Sequence, residues 1–210
     1  MTSQRTRTRM IDRLRTEGIG NERVLAAIAA VPRHEFVEEA LASRAYEDSA
    51  LPLGFSQTIS QPFVVARMIE LLLEGGRQLG KTLEIGAGCG YQAAVLAQLA
   101  DEVYAVERIE PLLAKAKLNM RKIQQFKVRL KYADGQLGLP EAAPFDTIIV
   151  AAAATSVPQA LLQQLALGGK MLLPLGVRDQ FLVMIERRPE GFVETRLDSV
   201  RFVPLLSGVE

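Results

Sequence analysis

The central part of the chain alternates between short apolar runs and longer segments whose apolar residues recur at helical spacing. This spacing predicts helices over 91–99 and 111–123 and a further helix that begins near Pro158. The apolar runs predicted as strands are 81–85, 102–107, 127–133 and 147–151. Strands that alternate with helices of about ten or more residues indicate a doubly wound, mostly parallel α/β sheet.

The N-terminal part has a different pattern. Residues 21–30 predict a short helix with Asn21 as its N-cap, which ends at Val31-Pro32. Residues 43–61 are rich in Ser, Thr and Gln and contain Pro and Gly, which favours a loop. The arginines of the first fifteen residues indicate a solvated, frayed start to the first helix.

The remaining segments complete the expected architecture. Pro62 suits the first turn of a helix that ends at Gly75-Gly76. Residues 169–203 predict short strands with tight turns, so at least one pair should be antiparallel. We expect a single structural domain: a helical extension with a loop over 1–60, packed on a core over 61–210 that ends in antiparallel strands.

Composition narrows the class of protein. The 210 residues are 49% hydrophobic and 23% charged, with a net charge of +1, which is typical of a globular protein without affinity for nucleic acid or membranes. No apolar run approaches the length of a membrane helix or a signal peptide, so we expect a soluble, cytoplasmic protein. One cysteine (Cys89) and one histidine (His34) exclude a Cys/His metal cluster and leave little for nucleophilic catalysis. We expect His34 to be structural.

Two glycine-rich motifs are candidates for a ligand-binding loop. Residues 75–82 match the letters of a phosphate-binding loop, G-x-x-x-x-G-K-T. That motif requires a strand before the loop and a helix after it, whereas here the order is reversed. We therefore interpret these glycines as a helix stop and Lys81 as the start of a strand.

The second motif, EIGAGCG at 84–90, does follow a strand and leads into a helix at Tyr91. A dinucleotide fingerprint would need Gly or Ala at position 91. The spacing instead resembles motif I of the S-adenosyl-L-methionine (AdoMet) methyltransferases. We interpret Cys89 as a small packed residue. Candidate cofactor-binding residues in this segment are Glu84, Gly86, Ala87, Gly88, Gly90 and Tyr91.

Acidic residues at later strand ends support a cofactor site. Glu107 ends the next strand, where a carboxylate can bind two ribose hydroxyls. Asp134 ends the third, where it could accept the adenine amino hydrogens. Each of these two acids could alternatively be a surface residue that only caps a strand end. Together with Glu84, however, they are expected to converge on one crevice. Arg108 and Gly135, next to these acids, are further cofactor candidates.

Residues after the fourth predicted strand bear on the substrate. Enzymes that methylate amino groups usually carry an Asn/Asp-Pro-Pro-aromatic box there, whereas this chain has Ala152, Ala153 and Ala154. Small residues would leave room for a backbone-like substrate.

Over nearly its whole length the chain resembles the protein-L-isoaspartate (D-aspartate) O-methyltransferases. The matching segments are 31–34, 45–48, 51–54, 57–62, 84–90, 106–109, 143–146, 165–169 and 201–205. The resemblance implies that Ser60 is the active residue, that Thr58, Ile59 and Ser60 help to cover AdoMet, and that Val203 and Leu205 contact substrate together with Ser60. Two departures are Ser56, where the family commonly has glycine, and Ala133, where it also commonly has glycine.

The implied reaction transfers a methyl group from AdoMet to the free α-carboxylate of L-isoaspartyl and D-aspartyl residues in damaged proteins. S-adenosyl-L-homocysteine is the other product, and the enzyme is expected to be a monomer. The carboxylate is ionised at pH 7, so no general base is required. Ser60 could alternatively be a helix N-cap before Pro62. A methyltransferase with another substrate and a non-catalytic AdoMet-binding module remain alternatives.

Overall fold

A computed structural model describes residues 4–210. Its strands are β1 (Leu51–Gly54), β2 (Gln57–Ile59), β3 (Lys81–Ile85), β4 (Glu102–Glu107), β5 (Val128–Tyr132), β6 (Phe145–Val150), β7 (Leu165–Leu175), β8 (Gln180–Arg188) and β9 (Gly191–Val200). Its α-helices are α1 (Gln4–Thr16), α2 (Glu22–Ala30), α3 (Pro62–Leu72), α4 (Tyr91–Leu96), α5 (Glu110–Lys122) and α6 (Gln159–Gln164).

A seven-stranded sheet in the order β5-β4-β3-β6-β7-β8-β9 forms the centre of the molecule. The chain enters at β3, moves outward through β4 and β5, and returns to the other side of β3 at β6. These pairs and β6–β7 are parallel, whereas β7–β8 and β8–β9 are antiparallel. The predicted doubly wound sheet with antiparallel C-terminal strands is confirmed, and its reversal between β3 and β6 creates the crevice in which such sheets bind ligands.

Both faces of the sheet are buried, which explains the continuous apolar runs of its central strands. On β6, Ile149 packs into a cluster that includes residues of α1 to α4, whereas Ile148 and Val150 pack into a second cluster with α6. Successive side chains of a strand point to opposite faces, so one strand contributes to both clusters.

The boundaries of β3 and β4 are as predicted, but other elements differ in length. Helix α4 ends at Leu96 because the chain tightens there, with the N–H of Leu99 donating to the Leu96 carbonyl. Helix α6 has only 6 residues. The C-terminal strands have 11, 9 and 10 residues, so the prediction of short strands was wrong. Their turns lie only at 176–179 and 189–190.

The predicted loop at 43–61 contains a β-hairpin, because β1 pairs with β2 in antiparallel register from Leu51 opposite Ile59. The turn of the hairpin places Phe55 and Ser56 at φ values of 53° and 55°. Leu53 and Ile59 are buried beneath it. The loop prediction was therefore wrong for this segment.

Helix α1 is a separate helix rather than the frayed start of α2. Its apolar residues Met10 and Leu14 are fully buried. Arg7 donates a hydrogen bond to the Ala29 carbonyl at 3.0 Å, and Arg13 donates to the Tyr46 carbonyl at 2.8 Å. These contacts tie α1 to the rest of the N-terminal region. Within residues 4–210, no helix combines the length and apolar character needed to cross a bilayer.

Candidate active site

A cavity lies at the carboxyl ends of the central strands, between the loops that follow them and the β1–β2 hairpin. It brings together most of the residues expected at a cofactor and substrate site. Those that line it are Thr58, Ile59, Ser60, Glu84, Gly86, Ala87, Gly88, Tyr91, Glu107, Arg108, Gly135, Val203 and Leu205. Gly90 and Asp134 lie outside this lining.

The glycine loop between β3 and α4 forms one wall of the cavity. Gly86 and Gly88 have φ values of 86° and 54°, which glycine adopts without the steric cost of a Cβ. The N–H groups of Gly86 and Ala87 both donate to the Val106 carbonyl, at 3.0 and 2.9 Å. This pairing fixes the loop to the end of β4. A Cβ at Gly90 would approach Met120 of α5, so Gly90 serves helix packing rather than the cavity.

Glu107 joins the glycine loop to the end of β4. Its Oε2 accepts from the Gly88 N–H at 2.7 Å, and its Oε1 accepts from the Ile109 N–H at 2.9 Å. Each carboxylate oxygen can accept more than one hydrogen bond. The two oxygens can therefore also accept a pair of hydroxyls from a ligand in the cavity.

Glu84 is the most unusual group at the site. It is fully buried, and neither of its carboxylate oxygens has a hydrogen-bond partner within residues 4–210. Burial raises the pKa of this carboxyl well above its usual value. The side-chain nitrogen of Gln92, another cavity residue, is also buried without a partner in the same range. Unsatisfied buried polar groups are costly, so the Glu84 carboxylate suits a cationic ligand group that donates hydrogen bonds, whereas the Gln92 nitrogen suits a ligand atom that accepts one.

The chain's last residues form the outer wall of the cavity. The Ala153 N–H donates to the Val203 carbonyl at 2.7 Å, and the Leu205 N–H donates to the Ala153 carbonyl at 2.8 Å. These bonds hold the segment beside the end of β6. Val203 and Leu205 thus reach the cavity from an element remote in sequence.

The same segment continues to Arg108 and Asp134. Asp134 Oδ2 accepts from the Gly208 N–H at 2.6 Å, and its Oδ1 accepts from the Gln136 N–H at 2.8 Å. Arg108 donates through Nε to the Gly208 carbonyl and through Nη1 to Glu210, both at 3.0 Å. The two residues therefore bind the C-terminal segment, which crosses the site from β6 towards β4.

Ser60 lies between the hairpin and α3, and it lines the cavity. The N-cap position of α3 is Gln61, not Ser60, so the alternative role of Ser60 as a helix cap is wrong. The carboxylate of Asp48 instead accepts from the N–H of Phe63 in the first turn, at 2.8 Å. The Ser60 carbonyl accepts from Arg33 Nη2 at 2.7 Å.

Cys89 and His34 both have structural surroundings. Burial raises the pKa of the Cys89 thiol to about 11, which keeps it protonated and unreactive at neutral pH. His34 Nδ1 lies 2.7 Å from the Tyr46 hydroxyl, and its Nε2 lies 3.2 Å from Glu35. Neither residue is arranged as a nucleophile or a general base for the cavity.

Sequence reasoning did not single out Gln92, Arg33 or Asp48. Gln92 lies one residue inside α4, where the only available signal was its position after the glycine loop. Arg33 and Asp48 fall in segments that carry the family resemblance, but their partners are 27 and 15 residues away. No local sequence pattern predicts contacts between residues that are so far apart in the chain.

Together the doubly wound sheet, the glycine loop after β3 and the acid at the end of β4 define the fold and site of an AdoMet-dependent methyltransferase. The family model of protein-L-isoaspartate (D-aspartate) O-methyltransferases matches residues 5–210. The chain belongs to this family.

Individual relatives agree with this assignment. A protein-L-isoaspartate O-methyltransferase of Dechloromonas aromatica is 75% identical over 210 residues, which cover 100% of this chain and 97% of that protein. One of an Azoarcus species is 65% identical over 206 residues, covering 98% and 95%.

Solved structures match the fold. A protein-L-isoaspartate O-methyltransferase superposes with a TM-score of 0.87 at 27% identity, covering 97% of this chain and 67% of the other. A putative one from Plasmodium falciparum, in complex with S-adenosyl-L-homocysteine, gives a TM-score of 0.81 at 22% identity, covering 94% and 96%. The second likeness concerns the fold alone.

Proposed function

We propose that this chain transfers the methyl group of AdoMet to the free α-carboxylate of L-isoaspartyl and D-aspartyl residues in damaged proteins and peptides, which initiates their repair. S-adenosyl-L-homocysteine is released as the second product. Membership of the family supports this activity. The observation that carries it here is that Ser60 lines the same cavity as Glu84 and Glu107, the acids proposed to hold the methyl donor.

The residues of the cavity fit the donor. The buried, unpartnered carboxylate of Glu84 suits the ammonium group of the methionyl part. Glu107 suits the ribose hydroxyls, and the backbone at Gly86 and Gly88 allows close approach of the ligand. Gly135 lines the end proposed for the adenine, and Asp134 is next to it in the chain, outside the lining. AdoMet supplies a methyl group on a sulfonium; when the C–S bond breaks, the sulfur leaves as a neutral thioether, which is a good leaving group and needs no metal.

Ser60 is proposed to orient the substrate. A free carboxylate with a pKa near 4 is ionised at pH 7 and is itself the nucleophile, so no general base is needed. The Ser60 hydroxyl can donate to one carboxylate oxygen and leave the other free to attack, without neutralising it as a lysine would. Val203 and Leu205 are proposed to contact the substrate backbone on the opposite side.

The walls of the cavity are proposed to exclude water. Opposite charges disappear when carboxylate and sulfonium become an ester and a thioether, and water stabilises the separated ions more than this transition state. A closed site with fixed in-line geometry therefore accelerates the step. Thr58 and Ile59 of the hairpin, Tyr91 behind the glycine loop and the C-terminal segment provide this enclosure.

The test is a labelled-methyl assay with matched isoaspartyl and aspartyl peptides. We expect base-labile methyl ester on the isoaspartyl peptide only. Ser60→Ala should retain AdoMet affinity in calorimetry and lose kcat by about 100-fold, the effect of removing one oriented hydrogen-bond donor. Ser56→Gly, in the same hairpin, is the control and should retain turnover.

Three results would overturn the proposal. Equal transfer to both peptides, or transfer to neither with another acceptor methylated, would indicate a different substrate. AdoMet binding without any transfer would indicate a non-catalytic module. Four expectations remain predictions: a monomeric state, a cytoplasmic location, the absence of nucleic-acid and membrane binding, and the division of the chain into an extension over 1–60 and a core over 61–210.

A further inference from the structure

Arg33 is a buried cation whose hydrogen bonds reach the Ser60 backbone. Its side chain has 0% exposure. Nε donates to the Ala45 carbonyl at 2.8 Å, and Nη2 donates to the Ser60 carbonyl at 2.7 Å. The guanidinium carbon lies 4.7 Å from the centre of the Tyr91 ring. One side chain therefore connects the N-terminal region, the Ser60 peptide and the start of α4.

Such a residue is expensive to bury. Desolvation lowers the pKa of Arg33, but a guanidinium stays charged at neutral pH. Its hydrogen bonds go to neutral carbonyls, and Nη1 has no partner within residues 4–210. An apolar side chain of similar size would avoid this cost. An apolar residue could not reproduce the planar guanidinium, whose two donating nitrogens fix the Ala45 and Ser60 carbonyls relative to each other.

Asp48 holds the other side of Ser60. Its Oδ1 accepts from the Phe63 N–H at 2.8 Å, and its Oδ2 lies 3.4 Å from the side-chain nitrogen of Gln61. The residues on the C-terminal side of Ser60 are thus fixed by a carboxylate from the same N-terminal region. Arg33 and Asp48 come from segments only 15 residues apart and bracket the Ser60 peptide.

We propose that Arg33 and Asp48 are positioning residues for methyl transfer, which act by fixing the Ser60 peptide so that its hydroxyl meets the substrate carboxylate. This proposal rests on the proposed function of Ser60. A hydroxyl that only aims a nucleophile contributes through its geometry, and a displacement of about 1 Å can cost about 100-fold in rate. Neither residue lines the cavity, so neither is expected to bind the donor.

The first experiment separates kcat from binding. Arg33→Met keeps the volume and removes the fork, and Arg33→Lys keeps the charge. We expect kcat with an isoaspartyl peptide to fall at least 10-fold in both variants, while AdoMet Kd changes less than threefold. Arg13→Met is the matched control, because Arg13 also donates to a backbone carbonyl of the N-terminal region but does not contact the Ser60 peptide. Its kcat should stay within twofold of wild type.

The second experiment tests whether Arg33 acts through Ser60. In a Ser60→Ala background, adding Arg33→Met should lower the residual kcat by less than twofold, because the hydroxyl to be positioned is already gone. A residue that only supports the fold or the donor site would lower kcat by the same factor in both backgrounds. Additive losses would therefore overturn the proposal.

Asp48 provides an independent probe if the Arg33 variants do not fold. Asp48→Asn keeps an oxygen that accepts from Phe63 and should retain most of kcat, whereas Asp48→Ala should lose about 10-fold. The proposal is overturned if folded Arg33→Met keeps its turnover within twofold of wild type, even when Ser60→Ala is inactive. If the Arg33 variants do not fold, the same result for Asp48→Ala overturns it. An active Ser60→Ala would instead overturn the proposed function, so the two failures are distinguishable.

Discussion

The cavity has two sides that are built in different ways. On the donor side, the loops after β3, β4 and β5 follow directly from parallel strands, and Glu107 anchors the glycine loop from the neighbouring strand end. On the acceptor side, Ser60 follows a two-stranded hairpin whose turn is exposed. Its peptide is held by Arg33 and Asp48, which belong to the N-terminal region.

This difference separates two kinds of constraint. The donor side is determined by the local geometry of strand, turn and helix, which leaves little room for a Cβ at Gly90 and Gly135. The acceptor side depends on a few long-range polar contacts to a small hairpin. Substitutions on the donor side should therefore affect stability and cofactor affinity, whereas those around Ser60 should affect mainly turnover.

The largest effect is expected from Gly135→Ala on the donor side. A Cβ there would lie 2.5 Å from Cγ2 of Ile85, a stiff and fully buried side chain. Overpacking of this kind costs about 2–3 kcal/mol. Urea denaturation measures the change in unfolding free energy. Gly20→Ala is the control, because a Cβ there meets nothing within 4 Å. Equal stability of the two variants would contradict the tight packing of the donor side.

Glu107→Ala should weaken AdoMet binding at least 10-fold, about 1.4 kcal/mol, as expected for loss of one charge-assisted interaction. The glycine loop also loses the acceptor for its Gly88 N–H. Titration calorimetry measures the affinity. Glu102→Ala, at the other end of β4, removes an exposed ion pair with Arg129 and a hydrogen bond from the Tyr104 hydroxyl, both remote from the cavity, and should leave affinity unchanged. Unaltered affinity in Glu107→Ala would remove this residue from the site.

Glu84→Gln should weaken AdoMet binding and stabilise the free protein by about 1 kcal/mol at pH 7, which raises Tm by about 2–4 °C for a chain of this size. Because burial raises the folded pKa of Glu84, the unfolded chain releases the proton first as pH rises above 4.5. Stability of the free wild type therefore falls from that pH towards the folded pKa.

Thermal melts across pH, with and without AdoMet, check the Glu84 prediction. The Gln variant should lack the part of the pH slope that comes from Glu84, and AdoMet should stabilise it less than wild type. A lower Tm for Glu84→Gln at pH 7 would contradict the interpretation that the buried Glu84 carboxyl destabilises the free protein and is retained to bind a ligand.

The smallest effect is expected at the hairpin turn. Ser56 has a φ of 55°, a conformation that glycine adopts without strain. Ser56→Gly should raise the unfolding free energy by about 0.5 kcal/mol, because relief of strain exceeds the added entropy of the unfolded chain. Chemical denaturation measures this, with Ser207→Gly as the control outside any positive-φ position. Destabilisation by Ser56→Gly would show that the serine makes a compensating contact.

Local patterns predicted much of the donor side. The boundaries of β3 and β4 followed from their apolar runs. Outside the donor side, the Asn21 side chain accepts from the N–H groups of Arg23 and Val24, as its N-cap position implied. A glycine loop between a strand and a helix has few possible geometries. Its location at the strand ends was therefore accessible from the sequence.

The hairpin was missed because Pro52 and Gly54 are residues typical of loops. The alternation of buried Leu51 and Leu53 with exposed neighbours was a signal for a strand. The contacts of Arg33 gave no such signal. A buried arginine cannot be distinguished from an exposed one by sequence pattern, because its burial depends on segments that meet only in the folded chain.

The hydrogen bond from Arg33 to the Ser60 carbonyl spans 27 residues. Its consequence concerns protein engineering: a chimaera that exchanges only residues 51–61 between relatives would transfer the Ser60 hydroxyl without the arginine that holds its peptide in place. Grafts intended to change acceptor preference should therefore carry residues 33–61 as one block.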